Sequence, residues 1–166
     1  MTLRIVFPRA AVMVSLATFL LTGCATQREA TASGAPLARQ VTASEHCGLT
    51  APGLVYLASA DEVRALSGLP AQTINLSALT ALDFSREHLL LVALGQRSTG
   101  GHGLTLADSE QQGGTLQLEM DVHRPAPDAM VTQVMTTPCT ALAVTASGWR
   151  TVTVHGEGLP TLSRSR

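Results

Sequence analysis

The run His88–Leu94, HLLLVAL, is the stretch on which the fold turns. Both of its alternating faces are apolar after the histidine, so neither face is suited to water. It reads as a central strand covered on two sides. Its neighbours supply the contrast. TLQLEMDVH, residues 115–123, alternates cleanly, with Leu116, Leu118, Met120 and Val122 on one side and Gln117, Glu119, Asp121 and His123 on the other. That pattern predicts a half-buried antiparallel strand.

Further strands are expected over GLVYLAS (53–59) and HGLTLA (102–107). DSEQQGG (108–114) reads as a polar turn, and TALAVTA (140–146) with RTVTVHG (150–156) as a terminal hairpin around Ser147-Gly148-Trp149. Ser59-Ala60-Asp61-Glu62 matches a capping box, and Val63 and Leu66 continue it into one short helix stopped by Gly68 and Pro70. The acidic pair Asp61-Glu62 suits the positive end of that helix and calls for no catalytic role. The expected fold class is mostly β, with α+β as the alternative: a single domain built on an antiparallel sheet with one short helix.

Composition narrows the partners. The chain has 166 residues, 14% charged, with a formal net charge of −1, and every basic residue is arginine. No basic run exists, so nucleic-acid binding lacks electrostatic support. With one Trp, one Tyr and three Phe, the core must be made of Leu, Val, Ala and Met.

Residues 1–23 carry a basic start (Arg4, Arg9), then the apolar AAVMVSLATFLL, shorter than the roughly 20 residues of a membrane span, then LTGC. The last four resemble a bacterial lipobox. That resemblance implies cleavage before Cys24, acylation of Cys24, and anchoring to a membrane through its acyl chains; Ala25 after the cysteine favours the outer membrane, with the protein facing the periplasm. Residues 24–46 then read as a lipidated N-terminus and flexible tether, 47–158 as the folded domain, and 159–166 as a frayed tail. With Cys24 assigned, Cys47 and Cys139 remain. In an exported protein two cysteines read as one disulfide, here separated by 92 positions. Two free thiols or a metal pair are the alternatives, and the absence of a CxxC spacing weighs against zinc.

The order of motifs resembles the PrcB-type domain, a family named for an accessory lipoprotein subunit of a bacterial surface protease complex. Gly95, Thr99, Gly100, Gly101, Pro125, Pro127, Thr136 and Pro138 stand at its characteristic positions, and the resemblance runs over roughly residues 53–156. Two positions depart: His102 stands where the family usually has Tyr, and Ser98 where it often has Pro. The resemblance implies an envelope accessory or binding domain with no known catalytic set.

The residues themselves point the same way. In TGGHGL (99–104), His102 shares an apolar strand face with Leu104 and Leu106, and Gly100 and Gly101 permit positive φ, so a structural corner is expected. A backbone nest for an anion or a peptide carboxylate is the functional alternative. No G-x-S-x-G occurs, so no enzyme activity is expected. His46, His88, His102, His123 and His155 are scattered; Asp121 and His123 share a strand face, but a solvated face is the simpler reading, and neither metal nor cofactor is expected. The loop RPAPDAMVTQVMTTP (124–138) places Met130, Val131, Val134 and Met135 between prolines. They either cap an open end of the core or form an adaptable apolar partner surface. The candidate partner surface is therefore Thr99, Gly100, Gly101, His102, Met130 and Met135. The function expected is an outer-membrane-anchored, non-enzymatic accessory domain for another envelope protein, a protease or an assembly component, with a small-ligand or metal-binding module as the alternative.

Overall fold

A computed structural model describes residues 36–166. The signal peptide, Cys24 and the first part of the tether lie outside the described residues. Eight strands form two four-stranded sheets. The first has the order β1 (Ala38–Ser44), β6 (Cys139–Thr145), β3 (Glu87–Leu94), β2 (Pro52–Leu57), and all its pairs are antiparallel. In the second, β4 (Gly103–Gln112) pairs with β5 (Thr115–His123), which runs parallel to β7 (Thr151–Gly156), and β8 (Leu159–Ser165) closes the row. The mostly-β expectation holds, but two sheets stand where one was expected.

The run that opened the reading is central, as its sequence requires. On β3, Leu90, Val92 and Leu94 enter a core shared with Leu104, Leu116, Leu118, Met120, Val152 and Val154 of the second sheet. Its other face, Leu89, Leu91 and Ala93, packs on Val63, Leu66, Ile74 and Leu79. Those covering residues come from α1 (Ala60–Ala65), a 3-10 turn at Leu66–Gly68, and α2 (Leu76–Thr80) with the segment before it. Helices, first sheet and second sheet therefore stack as three layers. Each fully buried leucine in the middle layer contributes about 1.5–3 kcal/mol relative to an exposed one.

Local signals explain most elements. Ser59 Oγ accepts from the Glu62 N–H at 3.3 Å, and the Glu62 carboxylate accepts from the Ala58 N–H at 2.6 Å, so the capping box forms with its return bond one residue early. A second helix, α2, escaped the sequence reading although Asn75 caps it by accepting from the Ala78 N–H. The polar stretch Asp108–Gln112 continues β4, and the turn is confined to Gly113 and Gly114, both at positive φ.

Three expectations about segment limits fail for one reason. The stretch 38–44, read as tether, is β1, and 159–165, read as tail, is β8. Both are edge strands held by one backbone ladder, so most of their side chains stay polar and exposed and show no apolar period. The third failure is the terminal hairpin: β6 and β7 lie in different sheets. Between them the chain crosses over, with Gly148 at φ +93° and Trp149 buried and donating from Nε1 to the Thr145 carbonyl at 2.7 Å. The hairpin at this end is instead β7–β8.

Cys47 and Cys139 form the expected disulfide, with Cα atoms 6.0 Å apart. Replacing both with Ala should lower unfolding free energy by roughly 2–5 kcal/mol, because it frees a loop of 92 residues in the unfolded chain. Urea denaturation of the variant against the oxidised parent measures this, and equal midpoints would contradict it.

Candidate functional site

The chain leaves β3 at Gly95, whose φ is +77° and where a Cβ would lie 2.7 Å from the Pro52 nitrogen. Only glycine fits so close a crossing at that dihedral. Arg97 and Thr136 then exchange backbone hydrogen bonds at 2.8 and 2.9 Å, joining the segment after β3 to the segment before β6. Thr136 is buried, and its hydroxyl donates to the Thr99 carbonyl at 2.9 Å. The Gly100 N–H donates to the Thr132 carbonyl at 3.0 Å. These bonds lace the glycine turn to the loop 124–138, two segments the sequence reading had paired only as a guess about recognition.

Each glycine has its own task. Gly101 takes the expected positive φ, +83°. Gly100 does not, and its requirement is space: a Cβ there would lie 2.4 Å from Thr132 Oγ1. Glu45 completes the corner by accepting from the Gly101 N–H at 3.0 Å. No sequence signal marked Glu45, which sat inside the presumed tether. It follows β1 directly, and the adjoining backbone is stitched to Thr137, whose N–H donates to the Glu45 carbonyl at 2.8 Å and whose hydroxyl accepts from the Cys47 and Gly48 N–H groups at 3.0 Å.

His102 sits half-buried where the turn enters β4, next to a core residue, Leu104. Its Nδ1 is enclosed and has no hydrogen-bond partner among the described residues. Burial holds the imidazole below its ordinary range, helped by the Arg97 and Arg124 charges and opposed by Glu45. A cleft of about 310 Å³ opens beside it between the ends of β1 and β4, with Ser44, Glu45, Thr105 and His123 on its walls. His123 bonds Thr105 through Nε2 at 2.9 Å.

The loop itself departs from the first of the two expectations. Met130 is 103% exposed, Met135 60% and Val134 50%, so these three do not cap the core. Only Val131 turns inward, 3.4 Å from where a Cβ on Gly101 would lie. The result is a pinned base bearing an apolar tip.

Residues 89–145, from β3 through the glycine turn and the loop to the end of β6, match the family described as PrcB C-terminal. The chain carries a PrcB-type domain. The match is narrower than the span of the sequence resemblance, and it holds the elements that build this corner. No curated protein and no solved structure matches the chain. In the PrcB-type domain the Thr-x-Pro element has a clear task here: Thr136 ties down Thr99, while the Pro138 carbonyl accepts from the Leu94 N–H at 2.9 Å.

Two outcomes follow for the PrcB-type domain. Thr136→Val removes the bond to Thr99 and should cost about 1 kcal/mol, with faster proteolysis within residues 126–135; unchanged cleavage would contradict the lacing. The second concerns pH. His102 and His88 are both held below the ordinary 6.5, in each case chiefly by burial. The unfolded chain therefore binds protons more readily, and stability is full above about pH 6.5 and declines as pH falls. Thermal melts from about pH 7.5 to 5 should show that decline, and His102→Gln should flatten part of it. A melt curve of His102→Gln parallel to the parent's would overturn the assignment.

Proposed function

We propose that the chain is a lipid-anchored, non-enzymatic accessory protein of a bacterial envelope, tethered through Cys24 to the outer membrane. It docks another envelope protein, in a protease complex or an assembly, through the loop 124–138 and the glycine turn. The observation that carries the reading is the exposure of Met130, Val134 and Met135 on a base laced by Arg97, Thr99, Gly100 and Thr136. Exposed apolar side chains on a soluble surface are suited to burial against a partner. Methionine adapts to the shape it meets, and a pre-ordered base lowers the entropy cost of docking. The PrcB-type segment, whose family is named for a protease-complex subunit, supports the accessory role.

The test places a photoreactive amino acid at Val134 in the full chain and irradiates intact cells. One envelope protein should be captured near stoichiometry. Capture should fail when Met130→Ser and Met135→Ser are added, while the melting temperature stays within about a degree of the parent's, since neither side chain belongs to the core. Absence of any adduct, or an adduct indifferent to the two serines, would overturn the proposal.

A further inference from the structure

We propose that Met130 and Met135 are an oxidation site, at which conversion to methionine sulfoxide turns the apolar tip of the loop polar while the fold stays intact. The consequence for docking rests on the function proposed above; the site itself does not. The argument begins with the sulfur atoms. Among the described residues sulfur occurs at Cys47, Cys139, Met120, Met130 and Met135. The two cysteines are 1% exposed and bonded to each other, and Met120 is 2% exposed within the core. Both remaining thioethers stand on one loop, in the open.

Oxidation by a peroxide needs access to the sulfur and little else. The thioether lone pair takes the distal peroxide oxygen, the O–O bond breaks, and water leaves. Sulfur loses two electrons and the peroxide gains them. At Met120 the product would put a polar S–O group into a close-packed interior and loosen it. At Met130 and Met135 it meets solvent. The hydrogen bonds that shape the loop run through the backbone of Gly100, Thr132, Arg97 and Thr136 and the Thr136 hydroxyl, and none involves either methionine. The loop thus keeps its form while its tip changes from apolar to polar. Reduction of the sulfoxide would restore it, which makes the change reversible.

The experiment treats the full-length chain in detergent with hydrogen peroxide and follows each methionine by peptide mass mapping. Met130 and Met135 should each gain one oxygen at least about tenfold sooner than Met120, with the melting temperature unchanged at the stage where both are oxidised. Equal rates at all three, or a melt that falls as the loop oxidises, would overturn the proposal. The same treatment is applied before photocrosslinking from Val134, beside a Met130→Leu, Met135→Leu variant that stays apolar and cannot be oxidised at the tip. Oxidation should lower the adduct about tenfold in the parent and leave the leucine variant unaffected. An equal adduct before and after oxidation of the parent would overturn the switch. Selective oxidation with no adduct even from untreated protein would leave the oxidation site supported and count against the docking function instead.

Discussion

The structure depends on burying one strand on both of its faces. β3 cannot sit at a surface, since water would meet leucine on either side, so the fold must supply two covers. The second sheet is one. The short helices between β2 and β3 are the other, and their apolar stripe, Val63, Leu66 and Leu79, has no purpose except to meet Leu89, Leu91 and Ala93. Once β3 is fixed, β6 is drawn beside it, buried along nearly its whole length. The disulfide at the start of β6 then holds the end of β1 in place.

The corner grows out of this framework. Because β3 and β6 are adjacent, the segment leaving the one and the segment entering the other emerge side by side. Arg97 and Thr136 extend that pairing past the sheet. Glycine is demanded on different grounds at neighbouring positions: a crossing against Pro52 at Gly95, room for Thr132 at Gly100, a left-handed backbone at Gly101. Loop mobility and loop display are thereby separated. The base is as well bonded as a strand pair, and only the tip, from about Ala129 to Met135, projects apolar side chains without a cover.

What the sequence made legible follows from where side chains had to carry the information. β5 was readable to the residue because its alternation records one wet and one dry face. β3 was readable because it has no wet face at all. β1 and β8 were invisible: an edge strand is held through its backbone, and ARQVTAS and LPTLSRS show no period that a ladder requires. The false hairpin at Ser147–Trp149 came from a glycine that permits a tight turn but here permits a crossing between sheets. Within the site, the glycines and the loop were noticed because their composition is unusual, and Thr99 and Thr136 through family resemblance. Glu45 could not be found, since its role is created by the register of β1 against β6. The two readings of the loop were separable only in three dimensions, as methionine serves equally in a core and on a docking surface.

The crossing between the sheets has one more consequence. Trp149 is the only tryptophan of the chain. It lies edge-on to Tyr56 at 5.8 Å between ring centroids, with the Arg166 guanidinium 4.9 Å from its own. The intrinsic fluorescence of this protein therefore comes from one indole at the joint of the two sheets, next to a residue of β2 and the end of the last strand. Its emission reports whether first sheet and second sheet are still closed on each other, without a label and at any stage of a titration.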